Sequence, residues 1–528
     1  MNSVRFTMQE ITRATGARHR PRRSARNALQ DTLGADVPRD ADGCVGISTD
    51  SRSLRGGALF VALVGPRFDG HDYLARVCDL GALGAVVTRG AAGIDAVAGQ
   101  MHIFEVEDTL AALGDLARHH RERFENLKTA SITGSNGKTT TKELLAAAMS
   151  PIGLGLSTEG NLNNLVGVPL TLFRLREEHR FAVVEMGMNE PGEIARLTSI
   201  SAPSLGVVTT ASEVHLAGLG DVDAVAAAKA ELYEGLSDGA VAVVNLDDPR
   251  LPALAEKAGA IEAGGRLQRV TYGSHPRADV RLGEVSLADD GTVQFQALVS
   301  VRLFHDSGVG PIETSRGSTD HLIQTVRLPL LGRHNAHNAC GALAAAIALG
   351  VLPSAAAEAI SGVRLLPRRL EPKRGPRGSL IIDDCYNAGP ASVVAALETS
   401  AELVSARGGR LLVVLGDMLE LGEREEELHR EIGKAAAEAG ASLLIAVGDR
   451  SGATARSARE AGIEQVLHRE DVDGLLDRLV DAVEPADVIL LKGSRGVALE
   501  RIADPLSMLA DASSRPGFRE ANEKEAKQ

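Results

Sequence analysis

The sequence predicts an α/β protein of three units, the middle one a parallel sheet with a phosphate-binding loop and the last a Rossmann-like sheet. Three observations carry that prediction. Short apolar runs ending in Gly, Asp or Asn alternate with longer Ala- and Leu-rich helical patterns, as parallel sheets covered by helices require. A strand-like run at Thr129 to Thr133 opens into Gly134-Ser135-Asn136-Gly137-Lys138-Thr139-Thr140 and then a helical pattern from Lys142 to Met149. The length, 528 residues, exceeds a single core, because domains run to roughly 100 to 200 residues each.

The elements follow in order. From about residue 44 to 125 the strand-like runs Ala58 to Ala62 and Ala85 to Thr88 flank a helical pattern at Tyr73 to Leu80, a small α/β unit. A second unit begins at Thr129 and continues through Phe181 to Glu185, Leu205 to Thr209 and Ala240 to Asn245. The polar, Gly-containing stretch Arg302 to Thr325 reads as a loop or hairpin insertion, and Asn335 to Gly350 as an Ala-rich helix. Pro367 to Gly378, with its prolines and basic residues, reads as an interdomain linker. Beyond it, Ser379 to Asp383, Arg410 to Leu415, Ser442 to Val447 and Asp487 to Leu491 are strand-like runs separated by helical patterns, and the Glu- and Lys-rich tail after Arg519 is expected to fray. The expected domains are residues 1–126, 127–355 and 356–528. No repeat of fixed period is visible.

Composition excludes several function classes. Hydrophobic residues make up 44% of the chain and charged residues 24%, which suits a large aliphatic core. Aromatic residues are only 3% and Trp is absent, so base stacking on several rings has little raw material. A net charge of −13 opposes nonspecific attraction to nucleic acid or anionic membrane. The basic run Arg18, Arg20, Arg22, Arg23 and Arg26 is interrupted by Pro21 and reads as a solvated surface segment. Cys44, Cys78, Cys340 and Cys385 show neither zinc-site nor disulfide spacing, as expected in a reducing cytoplasm. No apolar run reaches the roughly 18 residues of a membrane span, and no signal-peptide apolar region is visible, so a soluble, unexported protein is expected.

The loop after Thr133 is where chemistry concentrates. Glycines let backbone N–H groups approach phosphate oxygens, the following helix adds its dipole, Lys138 can reach the β- and γ-phosphates, and Thr139 can ligate magnesium. The general phosphate-loop pattern wants glycine where this chain has Ile132. A Gly-rich turn that merely caps a helix is the plain alternative. Against it stand groups expected at the carboxyl ends of neighbouring strands, where open α/β sheets bind ligands. Glu185 ends one strand and can share magnesium with phosphates. His215 follows the next strand by a short loop, and Lys229 lies inside the helical stretch Asp221 to Leu236.

These segments also resemble a known family. The loop G-S-N-G-K-T-T, then T-E-G-N-L-N-N-L-V-G-V-P at Thr158 to Pro169 and E-M-G-M-N-E-P-G-E-I at Glu185 to Ile194, resemble the Mur ligases of bacterial cell-wall synthesis. The likeness continues through G-R-H-N-A-H-N-A at Gly332 to Ala339, D-D-C-Y-N-A-G-P at Asp383 to Pro390, L-G-D-M-L-E-L-G at Leu415 to Gly422 and K-G-S-R at Lys492 to Arg495. S-T-D-S-R at Ser48 to Arg52 and F-D-G-H at Phe68 to His71 resemble the family's uridine-nucleotide-binding domain. The resemblance is to the branch that adds D-alanyl-D-alanine to a UDP-N-acetylmuramoyl-tripeptide.

That resemblance implies a three-domain architecture and a reaction in which a substrate carboxylate attacks the γ-phosphate of ATP, and an amine then displaces phosphate from the acyl phosphate. It implies ATP and magnesium as cofactors, with Gly134 to Thr140, Asn335, Asn338, Arg369 and Asp384 on the nucleotide, and Lys138, Glu185, His215 and Lys229 as catalytic groups. Thr139 and Glu185 would hold one metal ion, His215 and a carbamylated Lys229 the other. Ser51, Arg52, Asp69, His71, Thr158, Asn161 and Asn163 would face the UDP-substrate. Asn387, Lys492, Ser494 and Arg495 would face the acceptor. A monomer without nucleic-acid partners is the family default.

The chain departs from the family pattern at Gly389, where an asparagine is usual, and in longer segments at Pro21 to Asp42 and residues 302–325. Asp247-Asp248-Pro249-Arg250 superficially matches the signature of the diaminopimelate-adding relative, but it follows a central strand rather than lying in the last domain, so it reads as a turn. Two other functions stay open at this point. One is another ligase of the superfamily, such as folylpolyglutamate synthetase, which would not need the uridine segments. The other is an ATP-driven switch that moves domains.

Overall fold

The computed structural model describes residues 4–22, 43–212, 221–288, 291–305, 321–363 and 367–512. His215, residues 23–42 and residues 306–320 lie outside them, as does the tail after Ala512.

The amino-terminal unit holds β1 (Arg5–Phe6), β2 (Arg18–Arg20), β3 (Cys44–Val45), β4 (Ile47–Ser48), β5 (Leu59–Val61), β6 (Val64–Gly65), β7 (Phe68–Asp69), β8 (Gly84–Thr88) and β9 (His102–Val106). Its main sheet runs β2-β9-β8-β5-β4, parallel except for β2. β1 pairs with β3, and β6 with β7, as small antiparallel ribbons. The helix Thr109–Glu122, started by Asp108 accepting from the N–H groups of Leu110 and Ala111, leaves this sheet and packs on the next unit. Gly114 permits the close approach, since a Cβ there would stand 2.7 Å from Ile200. Arg121 is buried and donates to the carbonyls of Phe124, Leu127 and Ala202, tying helix, connection and central unit together.

The central sheet contains β10 (Lys128–Thr133), β11 (Gly155–Ser157), β12 (Phe181–Glu185), β13 (Leu205–Val208), β14 (Val241–Asn245), β15 (Gln268–Gly273), β16 (Val280–Leu287), β17 (Thr292–Ser300) and β18 (His321–Leu331), in the order β11-β12-β10-β13-β14-β15-β16-β17-β18. Strands β11 to β16 are parallel to β10 through their neighbours. Strands β12, β13 and β14 are buried on both faces, which is why they read as unbroken apolar runs. Val183, Val207 and Val243 face the helices Lys138–Met149, His334–Ala348 and Pro353–Ser361, while Val184, Val208 and Val244 face Glu193–Ser201 and Val222–Glu234. The His334–Ala348 helix is nearly all alanine where it touches the sheet, and at Gly341 a Cβ would meet the Tyr272 ring at 2.8 Å.

β17 and β18 add antiparallel to this sheet. They extend the expected parallel sheet with an antiparallel pair, and β18 begins at His321, inside the stretch 302–325 expected to be a loop or hairpin insertion. Arg302–His305 is a short helix. The alternation in T-V-Q-F-Q-A-L-V-S, with Val293, Phe295, Ala297 and Val299 buried, is that of a one-sided strand.

The last sheet runs β19 (Glu371–Arg374), β20 (Leu380–Asp384), β24 (Val488–Lys492), β21 (Leu411–Gly416), β22 (Ala441–Val447) and β23 (Gln465–Arg469). All but β19 are parallel. Alternate residues feed two cores, Val413 and Leu490 on one face and Val414 and Leu491 on the other. The expected linker Pro367 to Gly378 thus contains an edge strand, whose Pro372 is tolerated because only one side is paired. No helix among the described residues is long and apolar enough to cross a membrane.

Candidate active site

Strand β10 ends in a loop whose backbone is held open by its neighbours. Gly134 has φ +147°, and a Cβ there would lie 1.9 Å from Thr209 Oγ1; Gly137, at φ +79°, starts the helix Lys138–Met149. The loop is stitched to the end of β13: Ser135 N–H donates to the Thr210 carbonyl at 2.7 Å, and Asn136 Nδ2 to Ser212 Oγ at 2.9 Å. Thr209 Oγ1 donates to the Asn136 carbonyl at 2.6 Å. Lys138 folds back over the loop, its Nζ donating to the carbonyls of Gly134 at 2.8 Å and Ser135 at 3.1 Å. Thr139 and Thr140 occupy the first helical turn, where N–H groups lack intrahelical acceptors.

Glu185 ends β12 beside this loop, paired in register with Ile132. Its N–H donates to Thr158 Oγ1 at 3.0 Å and its Oε1 accepts from Asn163 Nδ2 at 2.9 Å. Its Oε2 is buried and makes no hydrogen bond among the described residues. The Thr158 carbonyl in turn accepts from Lys142 Nζ at 2.6 Å. Asn161 and Asn163 share one turn, the Asn161 carbonyl accepting from the Asn163 N–H at 2.8 Å.

Lys229 lies in the helix Val222–Glu234 with 2% of its surface exposed. Among the described residues it has neither a hydrogen bond nor an ion pair. Burial holds its pKa well below the usual lysine value, and the nearby Lys138 ammonium pushes the same way. Lys138 is itself lowered by burial, with Glu185 opposing and Arg369 adding to the shift. These charges therefore sense one another across one pocket.

From the far side comes Arg369. It donates to Thr139 Oγ1 at 2.9 Å and its guanidinium lies over the Tyr386 ring, 4.2 Å from the centroid. Between them opens a cleft of about 440 Å3, lined by Thr139, Lys142 and Glu143 on one side and Arg369, Tyr386 and Arg495 on the other. Behind that wall Lys492 donates to Asp384 Oδ2 at 2.6 Å and to the Asn387 carbonyl at 2.9 Å. Burial raises the Asp384 pKa, and Lys492 opposes it. Ser494 donates its N–H to the Asp417 carbonyl at 3.1 Å, while its buried Oγ has no partner among the described residues. Asn338 Oδ1 stands where a Cβ on Gly137 would come, and donates its amide to Asn335, which donates to the Leu331 carbonyl.

The amino-terminal candidates lie on their own unit. Ser51 is buried, and Arg52 is exposed and forked onto Asp50. His71 Nδ1 is 2.6 Å from Asp69 Oδ1, and its Nε2 accepts from the Thr88 N–H at 2.9 Å. Both ring nitrogens are thus engaged within the protein. Asp247 and Asp248 close the turn after β14: Asp247 accepts from the N–H groups of Ser274 and His275, and Asp248 from that of Ala211. Sequence reasoning missed Lys142 and Tyr386. A lysine four residues after Lys138 faces the same side of the helix, which is the signal that would have found the first.

A phosphate loop, an orphaned strand-end carboxylate and an arginine from the turn that precedes β19 define a nucleotide-binding α/β protein. Family models match along the chain: the Mur ligase family catalytic domain at residues 44–121, the Mur ligase middle domain at 132–346 and the Mur ligase glutamate ligase domain at 368–495. The UDP-N-acetylmuramoyl-tripeptide–D-alanyl-D-alanine ligase of Escherichia coli (strain K12) is 35% identical over 90% of this chain and 95% of its own. That of Bacillus subtilis (strain 168) is 32% identical over 87% and 93%. Among solved structures, MurF from Acinetobacter baumannii superposes with a TM-score of 0.79 at 29% identity, covering 96% of this chain and 100% of that one. The MurF ligase of Thermotoga maritima in complex with ADP gives 0.73 at 25% identity, over 89% and 98%. The chain belongs to the Mur ligase family. It has that family's three-domain α/β architecture and is an ATP-using ligase.

Proposed function

We propose that this protein joins D-alanyl-D-alanine to a UDP-N-acetylmuramoyl-tripeptide in peptidoglycan precursor synthesis, working in the cytoplasm as a monomer. The observation that carries the reading is the meeting of Thr139, from the phosphate loop, with Arg369, from the turn that precedes β19, in a chain that aligns along 90% of its length with the E. coli ligase. Residues 1–126 would hold the UDP-substrate, 127–355 the nucleotide and 356–528 the acceptor.

Two anions must meet here, the substrate carboxylate and the γ-phosphate, and their repulsion is what the site has to lower. The carboxylate oxygen bonds to the γ-phosphorus, the bond to the bridging oxygen breaks, and ADP leaves. The amine of D-alanyl-D-alanine then bonds to the acyl carbon, phosphate departs, and the amine proton passes to solvent. Gly134 to Thr140 wrap the phosphates with N–H groups. Lys138 exchanges its loop carbonyls for phosphate oxygens, and Arg369 approaches from the opposite wall. Asn335, Asn338 and Asp384 fix the rest of the nucleotide.

The residues fit a magnesium ion. Glu185 Oε2 is buried without a hydrogen-bond partner among the described residues, and Thr139 sits in the first turn of the helix that follows the phosphate loop. When bound, magnesium neutralises charge between the two anions. Thr139 and Glu185 would hold one ion, His215 and Lys229 a second. A lysine ammonium cannot ligate a cation, but burial lowers the Lys229 pKa and so favours the neutral amine, the form that can add CO2: an N–C bond forms, a proton leaves, and the side chain ends in an anion.

Asp69, held by His71, joins Ser51, Arg52, Thr158, Asn161 and Asn163 in facing the UDP-substrate. Asn387, Lys492, Ser494 and Arg495 face the dipeptide. Purified protein is expected to consume UDP-N-acetylmuramoyl-tripeptide, ATP and D-alanyl-D-alanine in equal amounts, with the product mass measured directly. A single amino acid added to a UDP-dipeptide, glutamate added to a folate, or ATP hydrolysis that needs a protein partner would overturn the reading.

A further inference from the structure

Arg369 reaches the phosphate loop from a backbone turn that needs outside support. The residues on either side of it, Arg368 and Leu370, have φ of +60° and +46°. Non-glycine residues stay in that left-handed region only where their surroundings hold them. On the inner side the support comes from the end of β20: the Arg368 carbonyl accepts from the Tyr386 N–H at 3.2 Å, and the Leu370 N–H donates to Asp384 Oδ1 at 3.2 Å. On the outer side it comes from the last helix, Glu500–Ala512.

Asp504 of that helix bridges both ends of the segment. Its Oδ2 accepts from Arg368 at 2.8 Å, and its Oδ1 stands 3.4 Å from Lys373 Nζ. Lys373 also donates to the fully buried Asp383 at 2.6 Å, and Glu500 lies 3.8 Å from Arg368. Asp504 belongs to none of the motifs that mark the site and does not line the cleft. We infer that it is a positioning residue: by gripping Arg368 and Lys373 it holds the turn in which Arg369 is aimed at Thr139, and so sets nucleotide affinity from outside the pocket. The inference rests on the reading of Arg369 as a nucleotide contact. Ion pairs as exposed as Arg368–Asp504 contribute little to global stability one by one. The effect of this pair falls instead on the population of one strained turn.

The test is calorimetric titration of the full chain with magnesium and a nonhydrolysable ATP analogue. Asp504→Asn keeps the shape and removes the charge, and is expected to weaken binding about tenfold while binding of the UDP-substrate stays unchanged. Asp504→Glu should restore most of the affinity. In an Arg369→Ala background Asp504→Asn should add less than about twofold, because the two changes act through one group. Undiminished affinity in Asp504→Asn, or the full loss persisting without Arg369, would overturn the proposal. Should Asp504→Asn fail to fold, Asp504→Ser removes the same charge without touching the cleft lining and carries the same expectations. A wild-type chain that binds no nucleotide would instead refute the site itself.

Discussion

Replacing Lys138 with alanine is expected to lower the ligation rate by about 10³-fold or more while leaving the folded structure in place. The magnitude follows from the loss of a cation aimed at transferring phosphate in a site from which water is excluded. The tolerance follows from geometry. Lys138 is only half-buried and donates to two loop carbonyls, whereas the loop itself is fixed by Thr209, Thr210 and Ser212. Phosphate release measured with all three substrates, alongside a thermal melt, checks both halves. Turnover within tenfold of the wild type would remove Lys138 from the chemistry.

The second large effect belongs to Lys229. Lys229→Ala is expected to cost a comparable factor in turnover, yet not to lower the melting temperature. The side chain is buried without a described counter-charge, so deleting it removes an unfavourable burial rather than a favourable contact. Short carboxylates such as acetate or formate should restore part of the activity by occupying the space a carbamate would fill. Labelled CO2 should give a carbamate signal in the wild-type protein that disappears in the variant. Near-normal turnover of Lys229→Ala would sink the assignment, and a missing carbamate signal would sink the modification.

The parallel strands were legible because burial on both faces writes itself as an uninterrupted apolar run: Phe181 to Glu185 and Val241 to Asn245 are such runs, and the phosphate loop announces itself by its glycines and lysine. The outer strands β16 to β18, which pair with one another antiparallel, are harder to read in the sequence. Their signal is alternation, and in Val280–Leu287 the exposed face carries Arg281, Glu284 and Ser286, which resemble loop chemistry when taken one at a time. The edge strand Glu371–Arg374 was hidden for a different reason. Its proline and charges are those of a linker, and only pairing with β20 makes it a strand.

The site divides along similar lines. Lys138, Thr139 and Glu185 follow from motif and strand-end position. Arg369 and Asp384 came from family resemblance, since no local pattern says that a residue far along the chain will reach Thr139. Asp504 had no sequence signal at all. It acts through the turn it braces, and that relation exists only once the last helix has folded back on the segment before β20.

The stacking of Arg369 on Tyr386 has an optical consequence. The chain has no tryptophan and four tyrosines, so its near-ultraviolet emission comes from tyrosine alone. Tyr233 and Tyr272 are fully buried in the central core, and Tyr73 sits on the surface of the amino-terminal unit. Of the four, Tyr386 alone lines the cleft, under the Arg369 guanidinium. If the cleft takes nucleotide as proposed, a change in tyrosine emission on adding it would report from Tyr386, with no label attached and no indole to mask it.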